Sequence, residues 1–276
     1  MKKIVSIVLC MVMVLSLGVM AFADEQSQVE TLLVSPLLIS PEPLDILIAP
    51  APGSQTVISE PTTSKGGLFV PAEMTEAEIK EALAGFTDYK EGEWYVEGLA
   101  FCVANKLMNG TSEKTISPAK KITRGEVVTM LYRLAGKPAF MNENVFTDVK
   151  AGSYCEEAVI WAQGKGIVNG TASDKFSPDQ NITREDLITM IFNYVEYDLQ
   201  EKGENTGILY PNLAFTYADT NKISSWATSA FRWATAEKII QGKPGNLADP
   251  QGFATRAEAA AIFQRLGLVP DELTNE

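Results

Sequence analysis

The sequence predicts an all-α protein built from three tandem helix–loop–helix repeats behind a Pro-rich extended tail. Three observations predict it. A Thr-Arg-x-acid phrase occurs three times, each time ahead of an apolar run. The residues around it recur at a shift of 60 and then of 72 positions. Each repeat also carries an earlier apolar stretch that suits one buried helix face, such as Ala158, Ile160, Trp161 and Ala162. A fixed internal period of this size is the signature of a repeat architecture.

The phrase itself reads as a helix start. Thr123, Thr183 and Thr255 stand at N-cap positions, where a hydroxyl accepts from the free amide three residues on. Glu126, Asp186 and Glu258 occupy that third position and are expected to reach back to the Thr amide. Asp186 has the shorter arm and predicts the poorer box. Gly125 weakens the first start by up to about 1 kcal/mol relative to Ala. Capping does not explain why Arg124, Arg184 and Arg256 follow the threonines, because a cation in the first turn opposes the helix dipole. One explanation is a surface salt bridge to the nearby acid; the other is an anionic ligand.

Composition narrows the function. The 276 residues carry a formal net charge of −12, so a polyanion would need a local site of placed cations, and nucleic acid is not an expected partner. There is no His at all, which excludes Ser-His-Asp, Cys-His and His-zinc chemistry. No metal and no cofactor is expected.

In chain order, residues 1–23 read as a secretory signal peptide: a basic Met1-Lys2-Lys3, an apolar run, then Ala21-Phe22-Ala23 before Asp24. No membrane span is expected after its cleavage. Residues 24–72 are broken by seven prolines and show no lasting period, so they read as a largely disordered linker or tail. Thr75-Glu76-Ala77-Glu78 opens a short helix within 73–85, with Ile79 and Leu83 on one side. Repeat 1 covers 86–144, repeat 2 covers 145–205 and repeat 3 covers 206–268, followed by a tail over 269–276.

Each repeat opens on an aromatic-x-Asp turn (Asp88, Asp148, Asp219), expected to be a turn or cap acid. A helix with Trp94, Tyr154 or Trp226 near its start follows. Gly110, Gly170 and Gly242 are expected to end that helix as left-handed caps, and a Pro-containing loop leads to the Thr-Arg helix. The extra residues before repeat 3 sit in 197–216, where Lys202-Gly203-Glu204-Asn205-Thr206-Gly207 is loop-like. Cys102 and Cys155 fall at different positions of the repeat and are expected to be two buried thiols rather than a bridge. No unit is large enough to bury its own face, so the three share a core, either stacked as a solenoid or closed as a threefold bundle.

These residues resemble the S-layer homology (SLH) family, whose pattern is roughly F-x-D…W-A…G-I-x-x-G…F-x-P-x-x-x-I-T-R-A-E. Repeat 2 carries Phe146-Thr147-Asp148, Trp161-Ala162, Gly166-Ile167, Gly170, Phe176-Ser177-Pro178 and Ile182-Thr183-Arg184-Glu185-Asp186. The resemblance covers about 86–268. It implies a pseudo-threefold SLH-type bundle that holds a secreted protein on the bacterial cell wall or surface layer. It implies as partner a secondary cell-wall polysaccharide attached to peptidoglycan, often pyruvylated, bound in grooves between repeats. The family's ligand-binding Arg maps to Arg124, Arg184 and Arg256. A pyruvate ketal is a carboxylate, which suits the planar donor fork of Arg and a helix N-terminus with free amides. Trp94, Tyr154 and Trp226 are candidates to lie against a sugar, although packing between repeats is the plainer expectation for these rings. Gly110, Gly170 and Gly242 would let a sugar approach closely. Repeat 3 departs from the pattern at Tyr217-Ala218-Asp219 and at Lys243-Pro244-Gly245, so its loop and site are expected to differ.

Two other classes stand beside anchoring. Glycoside hydrolysis needs a pair of carboxylates, and no pair stands out, so no catalytic residue is expected. The alternative to polysaccharide binding is a structural surface-layer assembly protein whose repeats and tail bind other surface-layer proteins.

Overall fold

The computed structural model describes residues 72–204 and 213–267. The signal peptide, nearly all of the 24–72 tail and the 269–276 tail lie outside them. The described residues form seven α-helices and two short 3-10 turns, with isolated bridges but no strands. The helices are α1 Glu76–Leu83, α2 Val96–Ala104, α3 Arg124–Leu134, α4 Glu156–Gly164, α5 Arg184–Glu201, α6 Thr228–Ala236 and α7 Arg256–Leu266. Repeat 1 supplies α2 and α3, repeat 2 α4 and α5, and repeat 3 α6 and α7.

The second helix of each repeat packs on the first helix of the next: α3 on α4, α5 on α6, and α7 back on α2. That last contact closes the three repeats into a ring and decides against an open solenoid. It is a close one. A Cβ on Gly98 of α2 would lie 2.8 Å from the Ala261 Cα, and α7 answers with the small run Ala259-Ala260-Ala261.

At the centre the residues just before the threonines hold one another. Ile122 N–H donates to Ala254 O, Ala254 N–H to Ile182 O, and Ile182 N–H to Ile122 O, each at 3.0 Å. All three side chains are fully buried. The caps then form as local chemistry requires. Thr123 and Thr255 make complete boxes with Glu126 and Glu258, whereas Thr183 accepts from the Asp186 amide without the return bond.

The first helices do not end at Gly110, Gly170 and Gly242. They end six residues earlier in Schellman motifs, whose left-handed residues are Lys106 (φ 56°), Gly166 (φ 72°) and Lys238 (φ 58°). Gly110 and Gly170 are needed for space instead: a Cβ there would lie 2.5 Å and 2.8 Å from the rings of Phe86 and Phe146.

The opening acids are structural. Asp88 accepts from the amides of Ile116 and Ser117, Asp148 from Phe176 and Ser177, and Asp219 from Ala248 and Asp249. In each pair the second residue is left-handed (φ 52°, 60° and 47°) and precedes a Pro, so the carboxylate fixes an otherwise costly turn.

The inserted stretch before repeat 3 begins as helix, ahead of the loop-like residues from Lys202. α5 continues through Glu201 because Tyr194, Tyr197 and Leu199 find apolar neighbours; Tyr197 stands edge-on to the buried Trp161 ring at 5.7 Å. α1 packs on α2. Ala72, at the end of the expected tail, exchanges two hydrogen bonds with Gln264 of α7. Cys102 and Cys155 are buried, unbridged thiols, and burial raises the pKa of both.

Candidate functional site

The helix starts at the ring's centre are not free anion seats. The amides of Arg124 and Gly125 donate to Gln180 O and Pro178 O, those of Arg184 and Glu185 to Gly252 O and Pro250 O, and those of Arg256 and Ala257 to Lys120 O and Pro118 O. Together with the Thr hydroxyls, these carbonyls use the donors that the sequence left open for a ligand. Each start is therefore satisfied by the loop of the neighbouring repeat.

The three arginines follow the same cyclic rule. Arg124, Arg184 and Arg256 are each only 4% exposed, which rules out a surface salt bridge. Arg256 donates from Nε to Ile116 O (2.9 Å), from Nη2 to Asn109 O (2.6 Å) and from Nη1 to Glu126 (3.1 Å). Arg124 donates to Phe176 O and Asn169 O, lies over the Phe176 ring and has Asp186 at 3.8 Å. Arg184 donates to Ala248 O, with Glu258 at 3.8 Å. In every case the acid belongs to the next repeat, not to the arginine's own helix. Burial lowers the pKa of Arg124 and Arg256, and the facing carboxylates act the other way. The recurring Arg is thus an inter-repeat clamp.

The three candidate rings are more than half exposed. Trp94, Tyr154 and Trp226 are 61%, 59% and 54% exposed, and Trp94 and Tyr154 each stand against a neighbouring repeat. They sit in the turns just ahead of α2, α4 and α6. Only the Tyr154 hydroxyl is tucked in, 3.4 Å from Thr123 Oγ1, and burial of that end pushes its pKa up to about 12. A Cβ on Gly125 would lie 2.5 Å from this hydroxyl, so the glycine that weakens α3 makes room for the ring.

Two inter-repeat grooves gather the candidates. The repeat 1 groove, about 440 Å³, brings together Gly110, Thr123, Glu126, Tyr154 and Arg256. The repeat 3 groove, about 380 Å³, brings together Gly242, Trp94, Arg184 and Glu258. Each takes its loop and second helix from one repeat, its Arg from the repeat before and its ring from the repeat after. In repeat 2 the same relation brings Arg124 of repeat 1 to Asn169 O and to Asp186. The grooves of repeats 1 and 3 therefore each draw on three copies.

The repeat 3 loop differs less than expected. Lys243 N–H donates to Leu247 O just as Thr111 does to Thr115 O and Thr171 to Lys175 O. Its departure is the side chain: Lys243 lines the groove and pairs with Asp249 (2.7 Å) and Glu258 (3.2 Å).

Four groove cations were not among the expected ligand-binding residues. Lys120 and Arg133 line the repeat 1 groove, and Lys243 and Arg265 the repeat 3 groove. The signal was present: Arg133 and Arg265 each follow the phrase Arg by nine residues. Among the described residues no His/Cys/Asp/Glu cluster could hold a metal, and no helix is long and apolar enough to cross a membrane.

Comparison with known proteins agrees with this architecture. The S-layer homology domain model matches residues 85–128, 145–188 and 205–260. The chain is 32% identical over 181 residues to an amylopullulanase of Thermoanaerobacterium thermosulfurigenes, an alignment covering 66% of this chain and 9% of that protein. It is 24% identical over 212 residues to a surface-layer 125 kDa protein of Lysinibacillus sphaericus, covering 73% of this chain and 17% of that protein. It is 25% identical over 154 residues to a cellulosome-anchoring protein of Acetivibrio thermocellus, covering 48% and 34%. The chain thus spans about a third or less of the length of these relatives. With three matched segments arranged as a closed ring, the chain belongs to the S-layer homology domain family of cell-surface proteins.

Proposed function

We propose that the ring anchors its protein non-covalently to the bacterial cell surface by binding an anionic secondary cell-wall polysaccharide in the grooves between repeats. The observation that carries this reading is the repeat 3 groove. It sets an exposed indole (Trp94) beside three cations (Arg184, Lys243, Arg265) and one lining carboxylate (Glu258), in a protein whose net charge is strongly negative. An apolar ring face suits a sugar ring, and a guanidinium fork suits a carboxylate such as a pyruvate ketal. Arg184 and Arg256 form the positive floor, Trp94 and Tyr154 the rim, and Gly242 and Gly110 the open side; Arg124, Trp226 and Gly170 are their counterparts in repeat 2. Thr123, Glu126, Thr183, Asp186, Thr255 and Glu258 support the helix starts. The relatives named for a surface layer and for cellulosome anchoring support attachment, and the enzyme names belong to proteins of which this match is a small part.

The test is co-sedimentation of the protein with peptidoglycan sacculi, before and after acid removal of the secondary polymer. Binding that disappears with the polymer is expected. Equal binding to stripped sacculi would move the ligand to peptidoglycan. Binding to neither would overturn the anchor in favour of a protein partner.

A further inference from the structure

The three grooves share a backbone plan and differ at the position nine residues after the phrase Arg. Arg133 Nη1 donates to Leu107 O at 3.1 Å, and Arg265 Nη1 to Ile239 O at 3.2 Å. In repeat 2 the same place holds Asn193, whose Nδ2 donates to Ile167 O at 3.0 Å. The loop carbonyl is held in all three, so the structural role survives the exchange. The charge does not. Guanidinium has five donors, and a single carbonyl leaves most of them for a ligand.

The other groove positions change in the same direction. Lys120 and Lys243 line the grooves of repeats 1 and 3, while repeat 2 has Gln180 and Thr171 at those places. Lining residues of the repeat 1 groove carry three cations against Glu126 and Asp179; those of the repeat 3 groove carry three against Glu258 alone. Asn193 also borders a neighbouring open cavity of about 600 Å³, lined by Glu196, Glu204 and Lys165 and by none of the repeat 2 groove residues named above. The longer α5 supplies part of that wall. Glu185 adds a further difference. It is only 4% exposed and stands where Gly125 and Ala257 stand, bound to Ser224 and Gln251.

We propose that only the grooves of repeats 1 and 3 take the anionic ligand, with Arg133 and Arg265 as its accessible cations, and that the repeat 2 groove does not. This rests on the anionic-polysaccharide reading above. The repeat 3 groove has the stronger demand: burial lowers the Arg265 pKa, and the like charge of Arg184 lowers it further. A bound carboxylate relieves both penalties. In repeat 1, Arg256 is already paired with Glu126 at 3.1 Å, so the unmet charge falls on Arg133.

The two tryptophans report on different grooves, Trp94 on repeat 3 and Trp226 on repeat 2. The protein labelled with 5-fluorotryptophan, its resonances assigned by Trp94→Phe and Trp226→Phe, is titrated with a methyl hexoside bearing a 4,6-pyruvate ketal and followed by fluorine NMR. The Trp94 resonance is expected to shift and the Trp226 resonance to stay. Arg265→Asn keeps the Ile239 carbonyl bond and is expected to weaken the Trp94 response at least tenfold. Asn193→Arg is expected to make Trp226 respond. A Trp226 shift at the same concentration as Trp94, or an unchanged Trp94 response in Arg265→Asn, would overturn the groove assignment while leaving the anionic ligand in place. Silence at both tryptophans would overturn the assignment together with the reading on which it rests.

Discussion

In repeat 3 a guanidinium holds the Ile239 carbonyl; in repeat 2 a neutral amide holds the Ile167 carbonyl at nearly the same distance. The two grooves come from the same sequence phrase, the same central hydrogen-bonded ring and the same Asp-fixed loop. Threefold repetition therefore preserves the scaffold and leaves the surface of each groove free to diverge. Side chains that bond across repeats, such as the buried arginines, occur in all three copies. Side chains that line the grooves, such as Lys120, Arg133 and Lys243, do not. Likeness among repeats marks what closes the ring, and difference marks what the grooves meet.

The sharpest break of this comparison is at the clamps. Arg256→Ala orphans two carbonyls and the partly buried Glu126, and is expected to cost about 3–5 kcal/mol, the range for removing one partner of a buried pair. Arg184→Ala, with its carboxylate at 3.8 Å, is expected to cost less, about 2–3 kcal/mol. Urea denaturation followed by circular dichroism measures both. Equal losses would show that the closer pairing in repeat 1 has no energetic weight.

A smaller effect is expected at Gly125→Ala. Better helix propensity favours the change by about 1 kcal/mol, but displacing the Tyr154 hydroxyl and crowding Pro178 is an overpacking cost of about 1–3 kcal/mol. A net loss of about 1 kcal/mol in thermal or urea unfolding is expected. A gain would show that the ring simply swings aside. The reverse change in repeat 3, Ala257→Gly, has no ring to release and should lose about 1 kcal/mol from propensity alone.

Asp186→Glu should complete the missing box in repeat 2 and stabilise the protein by about 0.5 kcal/mol. A loss instead would show that the shorter acid is needed opposite Arg124.

The smallest effect concerns pH. Burial alone would raise the Asp148 carboxyl, but the amides of Phe176 and Ser177 outweigh it and hold it below its ordinary value. Its contribution is therefore complete above the unfolded-state pKa and is lost as pH falls through the lower folded value. Asp148→Asn should flatten the acid side of the stability–pH curve. An unchanged curve would assign the acid sensitivity to other carboxylates.

Much of this was legible because its chemistry is local. The capping boxes of Thr123 and Thr255 span three residues, so the sequence displays both partners at once. The weak box at Asp186 was legible for the same reason. The left-handed caps were misplaced because Lys106 and Lys238 carry no glycine signal, while Gly110 and Gly170 are glycines for steric reasons set by Phe86 and Phe146. The helical character of 197–201 was hidden because it depends on Tyr197 reaching the Trp161 ring.

By itself the sequence determined the repeat, its two helices, their starts, and the presence of an Arg that local chemistry could not explain. Tertiary structure alone decided what that Arg does. Arg256 meets Asn109, 147 residues away in the chain, and its helix start is capped by carbonyls of Pro118 and Lys120. Hydrogen bonds within a turn follow from neighbouring residues. Bonds that close a ring depend on which copy lies beside which, and the chain reveals that only when its last helix packs on its first repeat.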